Sequence, residues 1–224
     1  MQNKKLTIVI AVLFIAVGLG VMIFPKITDM AYRHTVISEE KEFTEQDPDV
    51  ERLYKELCRR NKELYENKQS ELSEPFSYEQ PSISLKEYGI KDNTIGFIKI
   101  PKMDVKLPIL LGANEENMAK GAVHLTQTSY PVGGKNTNCV IAAHRGYAYT
   151  AMFKDIEKLT EGDKIYILNF REKLVYKVAK IEIIDPSDIN KLLIQEGKDM
   201  VSLITCHPYR YNYQRYVVYC ERYK

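Results

Sequence analysis

Val201-Ser202-Leu203-Ile204-Thr205-Cys206-His207-Pro208 reads as an apolar strand that ends in a thiol and a turn. Nine residues after the cysteine, Arg215 opens a second apolar run, Tyr216-Val217-Val218-Tyr219. If the two runs are neighbouring strands, Cys206 and Arg215 face each other across their ends. A third run, Asn138-Cys139-Val140-Ile141-Ala142-Ala143, has the continuous apolar character of a buried strand and stops at His144-Arg145-Gly146. Three strand ends would then present a thiol, an imidazole and a guanidinium.

Outward from these runs the same texture continues. Short segments rich in Ile, Val and Tyr fall at 94–100, 105–110, 138–144, 164–169, 174–184, 200–207 and 215–221. Turn residues separate them, among them Gly112, Pro131-Val132-Gly133-Gly134, Gly162-Asp163 and Asp185-Pro186. Seven or eight such strands predict a mainly β fold, a closed or nearly closed barrel, with helices inside it only at 152–159 and 188–193. Upstream, Val50, Leu53, Tyr54, Leu57, Leu64 and Tyr65 recur at helical spacing, so 48–68 is predicted as an amphipathic helix capped at Asp47-Pro48. Its apolar stripe needs a partner, and the barrel is the nearest one.

The chain begins with a different signal. Leu6 to Phe24 run 19 positions without a charge or an amide. A helix of that length spans roughly 28 Å, close to the hydrocarbon thickness of a bilayer. Lys4 and Lys5 precede it, which favours the amino terminus inside and the remainder outside the membrane. The run is longer than the apolar core of a cleaved signal peptide, and no small-x-small site follows it. The expected organisation is an anchor at 1–26, an extracytoplasmic stalk with the amphipathic helix at 27–90, and a catalytic barrel at 91–224. No second run of this kind follows, so a single pass is expected.

Composition narrows the function classes. Lys plus Arg is 32 and Asp plus Glu is 30, a net charge of +2, which gives no footing to a phosphate-gripping nucleic-acid binder. Four cysteines in 224 residues are too few for a disulfide scaffold. A zinc site built from Cys139, His144, Cys206 and His207 has no recognisable ligand spacing and would sequester the thiol, so neither metal nor cofactor is expected. Cys139 should share a core face with Ile141 and Ala143; Cys58 and Cys220 read as structural, and a Cys139–Cys220 disulfide is conceivable. His207, one step along the strand from Cys206, points to the other face. His34 and His124 read as incidental. The tyrosines at 209, 211, 213, 216 and 219 fit a substrate groove or barrel packing equally well.

The Cys–His–Arg set has a chemical logic. A thiol attacks as thiolate, and a neighbouring imidazolium or guanidinium favours that form. An imidazole can protonate a leaving amine, and a guanidinium can hydrogen-bond an acyl oxygen as charge grows on it. Together they suit attack on an amide or ester carbonyl through a thioacyl intermediate.

At these residues the chain resembles the sortase family. Leu203-Ile204-Thr205-Cys206 is similar to the family's Thr-Leu-x-Thr-Cys signature, and the spacing from Cys206 to Arg215 and the earlier Ala143-His144-Arg145-Gly146 match as well. The likeness extends from about Thr94 to Arg222, through Ile98-Lys99-Ile100-Pro101, Leu107-Pro108-Ile109, Pro131-Val132-Gly133-Gly134, Gly162-Asp163 and Gly197-Lys198-Asp199. The resemblance implies an eight-stranded sortase barrel and a membrane-anchored cysteine transpeptidase. Such an enzyme cleaves a sorting signal of the Leu-Pro-x-Thr-Gly type between Thr and Gly and resolves the acyl-enzyme with an amine. It implies Cys206 as nucleophile, His144 as general acid/base and Arg215 as the residue that orients substrate and steadies the oxyanion, with Thr205 and Ala143 at the substrate.

The subclass implied is class C, the pilin polymerases, whose resolving amine is a lysine of the next pilin. Class C enzymes often carry a lid ahead of the barrel marked Asp-Pro-aromatic; Glu74-Pro75-Phe76 stands in that place, where Glu74 could pair with Arg215 and Phe76 could shield Cys206. An ordinary linker is the other reading of this tripeptide. His207 and Arg210-Tyr211 depart from the small or polar residues common after the cysteine, and a second hydrophobic segment, frequent at the carboxyl end of pilin polymerases, does not precede Lys224. Two alternatives stay open: a housekeeping-type sortase that anchors proteins to a peptidoglycan precursor, and a non-catalytic surface-binding β-domain. A hydrolytic thiol protease is a lesser third.

Overall fold

The computed structural model describes residues 2–46, 49–69, 72 and 80–223. Eight strands close into a barrel: β1 (Thr94–Ile100), β2 (Val105–Leu111), β3 (Ala122–His124), β4 (Thr137–Ala142), β5 (Lys164–Leu168), β6 (Lys173–Ile184), β7 (Asp199–His207) and β8 (Gln214–Arg222). Their order around the barrel is β1-β2-β3-β4-β7-β8-β6-β5, with β5 returning to β1. The β2–β3 and β4–β7 pairs are parallel and the others antiparallel. Among the described residues, closure leaves the barrel no exposed strand edge to pair with another chain.

The parallel pair β4–β7 is apolar on both faces because both faces are covered. Cys139, Ile141, Val201 and Leu203 point into the barrel core with Val218. Val140, Ala142, Met200, Ile204 and Val217 form a second cluster on the outer face, under Leu192. That is why these strands read as unbroken apolar runs rather than as alternating ones. The outer cover is pinned by polar contacts: Asn138 Nδ2 donates to Leu192 O at 2.8 Å, and Ser202 Oγ donates to Asn138 Oδ1 at 2.8 Å.

Four short elements depart from the sequence reading. β3 is three residues long and α3 (Glu115–Lys120) six, too short for any periodicity to show; α3 is instead specified by its cap, Asn114, whose side chain accepts from Asn117 N. Segment 152–159 is not a helix but a single 3-10 turn at Ile156–Lys158, its side chains Met152, Phe153 and Ile156 buried in the core. Segment 188–193 is likewise one 3-10 turn, Ile189–Leu192.

The amino-terminal helix is the largest difference. α1 runs from Gln2–Glu45, 44 residues, so the stretch expected as a stalk continues the helix. After Pro25 no proline or glycine interrupts it before residue 46. Pro25 itself is accommodated, and the Thr28 hydroxyl donates to Phe24 O and Pro25 O at 3.0 and 2.9 Å. The helix then lies on the barrel. Val36 and Phe43 are buried against Phe97, and Phe43 also meets the Phe170 ring at 4.2 Å. Arg33 pairs with Asp104 at 2.6 Å, Glu40 pairs with Lys106, and Tyr32 donates to Lys120 O at 2.8 Å. By length and composition the first part of α1 is able to cross a membrane.

α2 (Val50–Glu66) is the amphipathic helix, capped by Asp49 rather than Asp47; Asp47 and Pro48 lie outside the described residues. It buries Leu53, Leu57 and, unexpectedly, Asn61. Asn61 Nδ2 donates to Tyr130 O at 3.3 Å, and Tyr130 N donates to Asn61 Oδ1 at 2.7 Å. One side chain thus satisfies both backbone groups of a buried loop residue. Asn61→Ala strands Tyr130 N, while Tyr130 O keeps the bond it accepts from Val132 N at 2.8 Å, so a loss of about 1–3 kcal/mol is expected. Urea unfolding of the variant in detergent should show the midpoint falling with its slope unchanged.

Candidate active site

The site forms where β4, β7 and β8 end together. β4 and β7 run parallel in the register Ala142↔Ile204, and Ala143 N donates to Ile204 O at 3.3 Å just beyond it. Two residues beyond this last pair stand His144 on one chain segment and Cys206 on the other. β7 and β8 are antiparallel, and Cys206 is the direct partner of Arg215. Side chains alternate along a strand. His144 continues the face of Val140 and Ala142, Cys206 that of Ser202 and Ile204, and Arg215 that of Val217 and Tyr219. All three therefore share the outer face of the β4–β7–β8 wall, at its upper rim.

Cys206 is partly exposed, His144 half-buried and Arg215 buried. The guanidinium is held by its own loop: Nη1 donates to Asn212 O at 2.6 Å and to Gln214 O at 3.1 Å. The His144 ring lies flat on Tyr147, centroids 4.9 Å apart and planes 12° from parallel. Burial pushes the His144 imidazole below its ordinary value, so at neutral pH the ring is mainly neutral and fit to take a proton. After His144 the chain turns at Gly146, whose φ of +91° suits glycine, and Phe153 N donates back to His144 O at 3.0 Å. Met152 and Phe153, both buried, anchor the far end of this loop.

A second cluster occupies the inner side of the same rim, on residues of opposite parity. The Arg145 guanidinium, its side chain 4% exposed, pairs through Nη2 with Glu157 at 2.6 Å and donates from Nη1 to His207 Nδ1 at 3.0 Å. It lies about equally near the Tyr209 and Tyr216 rings, 6.0 and 5.9 Å from their centroids. Arg145 follows His144 and His207 follows Cys206, so this clamp ties together the two backbones that carry the imidazole and the thiol. Neither Arg145 nor Glu157 stands out in the sequence, because a basic residue beside a histidine and an acidic one in a loop look like solvated surface.

Thr205 and Ala143 are both buried, and Thr205 Oγ1 donates to the Ala143 backbone O at 2.7 Å, so the Thr205 hydroxyl ties β7 to the end of β4. Glu74 and Phe76 lie outside the described residues. The four cysteines are free. Cys139 and Cys220 flank Val201 on adjoining strands, two strand spacings apart. That separation, about 9–10 Å, exceeds disulfide reach. Of the tyrosines at the carboxyl end, Tyr209, Tyr211 and Tyr213 are exposed in the β7–β8 loop, while Tyr219 is buried.

His124 is buried away from this rim and donates from Nε2 to Thr128 O and Ser129 O at 3.2 and 3.0 Å. Burial lowers its pKa from 6.5 to about 4. The unfolded chain therefore binds a proton the fold refuses. Stability from the neutral ring is complete above pH 6.5 and is lost as pH falls toward 4, amounting to roughly 3 kcal/mol. Urea unfolding at pH 7 and at pH 4.5 should show His124→Gln losing less stability on acidification than the parent chain does.

A sortase-domain family model matches residues 98–223. Sortase A of Bacillus anthracis is 29% identical over 220 residues, covering 97% of this chain and 95% of that protein. Among solved structures, sortase C1 of GBS Pilus Island 1 superposes with a TM-score of 0.73 at 33% identity, covering 85% of this chain and 98% of that one. Sortase C from Clostridium perfringens SM101 gives 0.70 at 31%, covering 85% and 99%. With the barrel, the rim and these likenesses together, the chain belongs to the sortase family of cysteine transpeptidases and is most like its class C members.

Proposed function

We propose that this chain is a membrane-anchored sortase that opens an LPxTG-like sorting signal between Thr and Gly and passes the acyl group to an amine, a lysine side chain of a pilin subunit. Cys206 attacks the Thr carbonyl as thiolate. His144, neutral at rest, takes the Cys206 thiol proton as the sulfur attacks, passes it to the leaving glycine amine, then takes one from the incoming amine and returns it to the sulfur as that leaves. Arg215 hydrogen-bonds the oxygen on which charge gathers. The single observation that supports the reading is the register, which pairs Cys206 with Arg215 and ends β4 beside β7 two residues before His144. The pilin acceptor is supported by class C neighbours, one of them from a pilus island. Residues 1–26 serve as anchor, 27–90 as the outer connecting segment and 91–224 as the catalytic unit, with the barrel outside the membrane.

One observation favours a second acceptor: the relative that matches nearly the whole chain is a sortase A. In that case the amine belongs to a peptidoglycan precursor. Incubating the full chain with a candidate pilin bearing the signal separates the readings. A covalent ladder of pilin multimers supports the pilin acceptor. A product formed only with a peptidoglycan-precursor amine supports the second, and hydrolysis alone excludes both.

A further inference from the structure

We infer that the catalytic rim faces the bilayer and that the exposed tyrosines of its two loops, Tyr149, Tyr211 and Tyr213, sit in the lipid headgroup layer. This rests on the anchor reading of α1 made above. The observation that carries it is a contact between distant parts of the chain. Phe24, the last residue of the apolar run, packs edge-on against Tyr149, with centroids 5.4 Å apart and planes at 86°. Tyr149 belongs to the loop that follows His144. The level at which the apolar segment ends is therefore the level of the active-site loop.

The contacts of α1 with the barrel agree on direction. Going back toward the amino terminus, the helix meets Phe97 at Phe43, Lys106 at Glu40, Asp104 at Arg33 and Lys120 at Tyr32. Lys120 adjoins Gly121, which precedes β3, and β3 is antiparallel to β4. Its start thus lies at the His144 end of β4. The helix leaves the barrel past that end and reaches Phe24 eight residues beyond Tyr32, about 12 Å further out.

The surface presented there has the composition of a membrane interface. Tyr149, Tyr211 and Tyr213 are 61%, 63% and 59% exposed, and the Tyr211 and Tyr213 rings lie 5.8 Å apart. Exposed Lys26, Lys154 and Arg210 stand on or beside the same loops. Tyrosine has an apolar ring and a hydroxyl that stays wet, which suits the headgroup layer, and lysine and arginine suit its phosphates. A rim held in water would leave each of these rings more than half exposed. The consequence for the proposed activity is geometric: a sorting signal or acceptor amine reaches Cys206 along the membrane plane.

The chain contains no tryptophan, so single-tryptophan variants report one site each. The full chain is reconstituted in phosphatidylcholine–phosphatidylglycerol vesicles with brominated acyl chains, bromine being a short-range quencher. Phe14→Trp, in the middle of the apolar run, tests the anchor. Tyr149→Trp and Tyr211→Trp test the rim. Lys135→Trp, in the exposed turn at the other end of β4, is the distant control. The expected result is loss of emission at 14, 149 and 211, with shallow bromines most effective at the last two, and none at 135. Quenching at 14 alone would show the anchor inserted and the rim clear of lipid, which overturns the inference. No quenching at 14 would remove the anchor reading and this inference with it. If emission at 211 responds to an added sorting-signal peptide but not to bromine, the tyrosines line a substrate groove, which also overturns it.

Discussion

Cys206→Ala is expected to abolish formation of the acyl-enzyme and to cut turnover of a sorting-signal peptide by about 10⁴-fold or more, since removing a covalent nucleophile leaves only binding and oxyanion stabilisation. The fold should hardly notice. Cys206 is partly exposed at the end of β7, so little packing is lost with the sulfur. Arg215→Ala removes the guanidinium proposed to steady the oxyanion and should cost about 10²–10³-fold in rate. Arg215→Lys keeps the charge but not the planar fork, and should cost less than Arg215→Ala while remaining slower than the parent chain. Intact-mass spectrometry after peptide addition reads the acyl-enzyme, and rates of peptide cleavage read the rest. An acyl adduct in Cys206→Ala, or undiminished cleavage, would remove Cys206 as nucleophile. Cys139 and Cys220 offer no substitute, because burial pushes both thiols up, away from thiolate.

The second large effect concerns Arg145. Arg145→Met is expected to lower stability by about 2–3 kcal/mol, below the 3–5 kcal/mol of a wholly buried pair because Glu157 is half exposed and can turn to water. For a chain of this size that is a fall of about 4–12 °C in the unfolding midpoint. Below that midpoint the rate should still fall, by roughly 10–100-fold, because the strand ends carrying His144 and Cys206 lose their common clamp. The loss should appear in kcat with KM little changed, since Arg145 lies on the side of the wall away from the thiol. A double-mutant cycle with Glu157→Gln should return a coupling of about 1 kcal/mol or more. A variant of normal kcat and reduced stability would leave Arg145 a purely structural residue.

Much of this molecule is legible along the chain. Cys206, Arg215 and His144 could be set on one rim from three apolar runs, since a continuous run bounded by turns specifies a doubly covered strand, and two such strands ending together bring their last residues together. The barrel, α2 and the apolar part of α1 follow from the same kind of periodicity. Short elements escaped for the same reason. A three-residue β3 and a six-residue α3 are too short for a period to repeat often enough to show, and 152–159 is held by Met152, Phe153 and Ile156 in the core without forming a helix.

Other features depend on distant partners, which local pattern does not contain. Asn61 looks like a polar residue on a solvated helix face until Tyr130, 69 residues away, supplies both of its hydrogen-bond partners. Thr205 and Ala143 are tied together across the joint between β4 and β7, a contact 62 residues apart that no local pattern shows. Residues 27–45 read as a polar stalk because their charges are conspicuous and their sparse stripe of Tyr32, Val36 and Phe43 is not; only the barrel surface makes that stripe a packed face. By itself the sequence determined which strands form and which reactive side chains end them, because alternation and turns act over a few residues. Tertiary structure alone decided what clamps those ends and where α1 lies against the rim, because both rest on contacts between residues far apart in the chain.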